Sequence, residues 1–223
     1  MKIEFRQNRA AETLRILARV VDQDKLPADL PRAMAEGAAA SRFTGKAGQV
    51  FDGFHEMNGR VVQLALAGAG EKGDAGRQAA LEKAGAALAA KYLTSGESAL
   101  ALDAGASGLD AAETAAVLTG ARLRAWRWDT YRTKLRDEQK PTLKSIVVLG
   151  APEGSEAAWE DAQAVAAGVE CTRELVAEPA NIIYPESCVE RCQKRLAAAS
   201  ASPCVASRPA FVACHGAAGE SSG

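Results

Sequence analysis

No stretch of this 223-residue chain approaches the roughly 20 consecutive apolar residues that a membrane-spanning helix needs. Its beginning, Met1-Lys2-Ile3-Glu4-Phe5, is charged and has no apolar run of the kind a secretory signal carries. Nor is there an excess of either charge. The 27 basic and 28 acidic side chains cancel, so no global field draws the protein to nucleic acid or to a lipid surface. Cysteine is missing from the first three quarters. Cys171, Cys188, Cys192, Cys204 and Cys214 all fall in the last quarter, whereas a disulfide framework would spread them through the fold. Free thiols in a reducing, cytoplasmic setting are the expectation. No His-Glu-x-x-His or phosphate-loop motif is present, and no internal repeat.

What is there alternates between strands and helices. Lys2–Phe5 and Leu14–Val21 read as strands, the second an apolar run without a breaker. Leu30–Ser41 reads as a helix with Pro31 near its first turn. Gln49–Phe51 and Arg60–Ala67 read as a hairpin turned at Asn58-Gly59. Asp74–Leu93 has helical spacing, with Asp74 as its N-cap. Ser98–Leu102 is a short strand. Asp110–Leu118 and Leu123–Leu135 read as helices separated or bent around Gly120. Ser145–Leu149 is a buried-type strand, Glu156–Val176 a long helix and Glu186–Ala199 the start of another. The alternation predicts an α/β layer structure around a parallel or mixed sheet.

From Ala197 to Gly223 the composition changes to Ala, Ser, Gly, Pro and Cys, with Arg208 and Glu220 the only charged side chains. Such a segment cannot bury enough apolar surface to order itself. The abrupt change predicts a frameshifted or truncated gene.

Four patterns are candidates for chemistry. Gly68-Ala69-Gly70-Glu71-Lys72-Gly73 is a Gly-x-Gly-x-x-Gly between strand and helix, where glycines let a phosphate approach the backbone. The acid expected about 20 residues on is absent, since Asp103 comes later, and a plain tight turn is the favoured reading. Arg122, Arg124, Arg127, Arg132, Lys134 and Arg136 interleave with Trp126, Trp128 and Tyr131, as in single-strand nucleic-acid binders. On a helix, however, Trp128, Tyr131 and Leu135 share a face, which reads as a core stripe with a solvated basic side. Cys188 and Cys192, with Cys204, Cys214 and His215, are zinc-ligand types, but their spacing is that of chance thiols. His55 has no evident partner. The pairs Glu153/Glu156 and Glu160/Asp161 read as a solvated helix face.

Two segments together resemble the leucyl aminopeptidases, the cytosol aminopeptidases of the M17 metallopeptidase class. Residues 120–134, from Gly120-Ala121-Arg122-Leu123 through Trp126-Arg127-Trp128-Asp129 to Thr133-Lys134, are similar to that family's Gly-x-x-Leu-x-x-aromatic-x-aromatic-Asp-x-Tyr-x-Thr-Lys segment. Residues 173–185, Arg173-Glu174-Leu175-Val176-Ala177-Glu178-Pro179-Ala180-Asn181-Ile182-Ile183-Tyr184-Pro185, are similar to its entry to the catalytic domain. Ala177 stands where the family usually has Asn. The resemblance covers about residues 1–196.

It implies an α/β fold: a mixed-sheet, macro-like N-terminal domain over residues 1–150, then a linking helix and the truncated start of a second α/β domain over 151–196, with 197–223 an aberrant tail. It implies hexamers, peptide substrates trimmed at the N-terminus with Leu preferred, and two divalent metals, manganese or zinc, held by Asp, Glu and Lys. It also implies that the metal-binding Asn-Thr-Asp-x-Glu-Gly-Arg-Leu segment should follow, and it is absent. Asp161 is the last Asp, and after Pro185 the only acidic side chains are Glu186, Glu190 and Glu220. No catalytic, metal or cofactor-binding residue is therefore assigned, and the chain is expected to be inactive alone. The alternative is a non-catalytic nucleotide-binding or regulatory partner module.

Overall fold

The apolar run of residues 16–21 is buried on both sides, and that explains its lack of polar alternation. In the computed structural model, which describes residues 1–7, 14–57 and 59–199, this run is strand β2 (Ile16–Val21). Ile16, Ala18 and Val20 point into one hydrophobic layer, and Leu17 and Val21 into another on the opposite face. Period-two geometry divides the residues in this way, and burial on both faces marks an interior strand of a parallel sheet.

The other strands are β1 (Lys2–Arg6), β3 (Val50–Met57), β4 (Arg60–Gly68), β5 (Ala99–Asp103) and β6 (Ser145–Leu149). Their spatial order is β1-β6-β5-β2-β4-β3. All neighbours are parallel except β3, which closes one edge antiparallel to β4. The expected α/β architecture with a mixed sheet is therefore present. The hairpin strand is longer than Gln49–Phe51, because pairing continues from Val50↔Ala67 to Met57↔Arg60. Asn58, in the expected turn, lies outside the described residues, as does the segment 200–223.

Helices cover the sheet. One face carries α1 (Arg32–Ala40), whose Met34 and Ala38 meet Leu64 and Leu66. The other carries α2 (Arg77–Tyr92) and α4 (Ala111–Ala125), whose Leu81, Leu88, Val117 and Leu118 meet Ile16, Leu100 and Val148. Each such side chain, fully buried, contributes about 1.5–3 kcal/mol. A single turn, α3 (Ala104–Ser107), follows β5, with Asp103 as its N-cap accepting from the Ala106 N–H. The long helix α5 (Ser155–Ala177) buries Trp159 and Ala166, and α6 (Pro185–Ala199) comes last. The chain divides into two compact units after Glu174.

Three helix expectations need correction. Asp74 is not an N-cap; Gly76 takes that position, and the Asp74 carbonyl closes the preceding turn by accepting from the Arg77 N–H. Gly120 neither separates nor bends two helices, because it lies inside α4, pressed against the backbone of Glu82 on α2. Residues 126–135 are not helical. Trp126 turns to extended backbone (ψ 133°) and ends α4, so Trp128, Tyr131 and Leu135 do not form a helical core stripe, and Tyr131 is exposed.

Candidate functional site

In open parallel sheets, binding crevices form at the carboxyl ends of the strands, where connections part. At the end of β4 that region is occupied by the protein itself. A Cβ on Gly68 would stand 2.2 Å from the Lys46 carbonyl oxygen, so the glycine is needed for contact with the 45–46 backbone. Gly70 has φ +69°, donates its N–H to the Gly45 carbonyl and accepts from the Gln23 N–H. The Gly68–Gly73 motif is thus a strand-to-helix turn closed by its own chain, as the tight-turn reading expects.

Beside this turn lies a buried ionic hub. Arg77, at the first position of α2, donates to Asp22 at 2.7 Å and to Glu113 at 2.8 Å. It also donates to the Ala69 carbonyl at 3.1 Å. All three side chains are at most one-fifth exposed. Glu113 has a second task, since it forms a reciprocal capping box with Asp110 at the start of α4. One guanidinium therefore ties together the ends of β2 and β4 and the beginnings of α2 and α4.

A second polar cluster joins the sheet edge to α2. Asp52 on β3 accepts from Gln63 at 2.6 Å, from the Tyr92 hydroxyl at 3.3 Å and from Lys91. Desolvation pushes the Asp52 carboxyl upward, but the donors Lys91, Gln63 and Tyr92 hold it below its ordinary value. Burial, with the Asp52 charge alongside, pushes the Tyr92 phenol up. Neither cluster is visible in the sequence, where the partners stand tens of residues apart with no motif around them.

The basic aromatic segment is a strap that leaves α4. Trp126 and Trp128 stack, centroids 6.3 Å apart and planes at 18°. Arg127 and Arg132 pair with Asp129, so part of the cationic charge is neutralised internally. Arg122 belongs to α4 and grips Glu170 of α5 through two hydrogen bonds of 2.8 Å. These bonds, with Arg122's charge, hold the Glu170 carboxyl below the usual range. A carboxylate with a lowered folded pKa stabilises the fold above its unfolded value, about 4.3, and loses that contribution as pH falls through the folded value. Glu170→Gln is accordingly expected to cost about 1 kcal/mol at pH 7 and almost nothing at pH 2, measured by urea unfolding at both.

Glu153, Glu156, Glu160 and Asp161 are exposed, the solvated face expected of them. Cys188 and Cys192 are half-buried and one turn apart on α6. Cys204, Cys214 and His215 lie outside the described residues. His55 sits on β3 opposite Val62, its Nδ1 buried without a hydrogen-bond partner among the described residues. An open groove of about 600 Å³ runs between α2, α4 and α5, floored by Leu81, Ala115, Ala116 and Ala162. Among the described residues no three His, Cys, Asp or Glu side chains gather where a metal ion could be held. No helix among them is long and apolar enough to cross a membrane. The carboxylates that are buried serve helix caps and ion pairs, so the donors present do not fit a two-metal centre.

Comparison with known proteins gives this framework a context. The family model described as "Cytosol aminopeptidase family, N-terminal domain" matches residues 12–135, more than half the chain. A protein of Caulobacter vibrioides named probable cytosol aminopeptidase is 37% identical over 166 residues, which cover 72% of this chain and 32% of that protein. One of the same name from Rhizobium etli is 31% identical over 170 residues, 75% of this chain and 34% of its own length. The chain thus spans about a third of the length of these curated relatives. Among solved structures, a tomato leucine aminopeptidase mutant superimposes with TM-score 0.70 at 24% identity, covering 90% of this chain and 43% of that one. The bottromycin maturation enzyme BotP in complex with Mn superimposes with TM-score 0.64 at 24% identity, covering 83% and 37%. At that identity the two structures speak for the fold alone.

Proposed function

The chain belongs to the cytosol aminopeptidase family, whose N-terminal domain it carries, and from this premise we propose that it is the N-terminal portion of a leucyl-aminopeptidase-type exopeptidase. The observation that carries the reading is the family match over residues 12–135 on a sheet of the same fold. The complete protein removes N-terminal residues, Leu by preference, from peptides in the cytoplasm, and assembles as a hexamer. Two divalent ions, manganese or zinc, supply its chemistry by activating a water and polarising the scissile carbonyl.

In this division of labour residues 1–150 are the N-terminal domain. Residues 151–196 are the linking helix and the first part of the catalytic domain. The composition of 197–223 belongs to neither. Among the described residues no carboxylates gather to hold a metal pair, and the 223-residue chain by itself is inactive. A nucleotide-binding role gains no support from Gly68 and Gly70, because the backbone approach these two glycines permit is taken by residues 45–47.

Two assays test this. The purified chain is expected to release no nitroaniline from leucine p-nitroanilide with manganese or zinc added; chelator-sensitive release would refute the inactivity. A chimera is the positive arm: residues 1–185 replace the matching part of the Caulobacter vibrioides relative. It is expected to hydrolyse the substrate and elute as a hexamer. A folded chimera that assembles but lacks metal-dependent activity would count against the family role given to this segment.

A further inference from the structure

The two family-like segments, residues 120–134 and 173–185, are far apart in sequence, yet they meet at one point. The last turn of α4 leaves backbone carbonyls without partners inside the helix, and the negative end of the helix dipole lies there. Within α4 and its cap, the Arg122 carbonyl is taken by the Trp126 N–H at 3.1 Å. The next, Leu123, accepts at 2.7 Å from Nη1 of Arg173 on α5. The same guanidinium lies 5.8 Å from the ring centre of Trp126, the residue that caps α4, and Trp126 in turn stacks on Trp128. One turn earlier on α5, Glu170 holds Arg122 with two bonds. A cation at a helix C-terminus, a planar group on an indole and a bidentate ion pair each stabilise modestly. Here all three act between the same two helix turns, immediately before the chain divides after Glu174.

We propose that Arg173, seated on the Trp126–Trp128 stack and capping α4 through the Leu123 carbonyl, is a lock that fixes the point at which the chain leaves its first unit. In this arrangement Arg173 is a positioning residue, and the two segments are halves of one device. The Gly-x-x-Leu part supplies the carbonyl, the aromatics supply the seat, and the Arg that opens the second segment closes the lock. The inference stands on this chain's own geometry, whether or not the complete protein is an aminopeptidase.

The test is proteolysis of the full chain by an enzyme that cuts after Glu, with fragments identified by mass. In Arg173→Gln, cleavage after Glu174 is expected to rise about tenfold, because local opening of the last turn of α5 no longer breaks the lock. Trp126→Leu, which removes the seat and leaves the cap, should raise it about threefold. Cleavage after Glu82 and Glu113, inside α2 and α4, is the internal reference and should not change. Wild-type rates after Glu174 in both variants would overturn the proposal. So would a parallel rise at all three sites, since that would make Arg173 an ordinary contributor to global stability. Should Arg173→Gln fail to fold, Trp126→Leu decides the matter by the same readings.

Discussion

Gly120→Ala is expected to lower the melting temperature by about 10 °C, on the order of 3 kcal/mol, although Ala is the better helix former. The reason is the crossing of α2 and α4. A Cβ on Gly120 would lie 1.9 Å from the Glu82 carbonyl oxygen and 2.7 Å from its Cα. Backbone cannot swing aside as a side chain can, so the helices must separate by about 1 Å and loosen the layer between them. Gly85, on α2, stands in the reciprocal position, its added Cβ 1.9 Å from the Val117 carbonyl oxygen. Both glycines lie where α2 and α4 cross, so Gly85→Ala should act alike and the double variant should cost less than the sum. Gly168→Ala is the control. Gly168 lies in α5 with open space where a Cβ would go, so the same change should stabilise by about 0.5–1 kcal/mol. Thermal unfolding of the four variants checks all of this. A Gly120→Ala protein that melts with the wild type would mean that the crossing is looser than described.

Arg77→Met is the second large loss, about 3 kcal/mol in urea unfolding. Methionine matches much of the arginine's bulk, so packing is roughly kept while the charge disappears. Asp22 and Glu113 then face each other's side of the hub without the cation that each meets at 2.7–2.8 Å. The Ala69 carbonyl loses a donor as well. Arg77→Lys should recover only part, because a single ammonium cannot present the fork that reaches two carboxylates and a carbonyl. A Met variant within about 0.5 kcal/mol of wild type would show the hub to be dispensable.

Residues 16–21 and 145–149 are strands because uninterrupted apolar residues must be buried on both faces, a demand that any reader of the chain can see. The family was legible through two short motifs for the same reason that the lock exists: Gly120, Trp126, Trp128 and Arg173 occupy positions with special steric or stacking requirements. The helix ending was not legible. Trp128, Tyr131 and Leu135 suit a helical period, whereas the backbone turns extended at Trp126 and the Leu123 carbonyl is taken by Arg173, 50 residues away. Arg77 was missed because a lone Arg after a glycine-rich turn looks like any solvated cation, and its partners are 55 and 36 residues away. The glycine-rich turn itself was read correctly as a turn, but its ligand-free explanation needed the 45–47 backbone, which no local pattern announces.

The place of β1 in the sheet has a consequence for how the protein is made. Among the described residues, 2–6 pair only with 145–149, and β6 in turn sits between β1 and β5. On the ribosome β1 emerges well before β6, so it must wait for about 140 residues before its neighbour exists. The β2, β4 and β3 group can assemble meanwhile, since its partners lie within residues 16–68. Synthesis therefore leaves Ile3 and Phe5 uncovered until late, and long-range parallel pairing of this kind is slow and exposed to misassociation. A nascent chain halted before residue 145 would carry an unpaired β5 edge as well as an orphan strand, the state in which a chaperone's protection counts most.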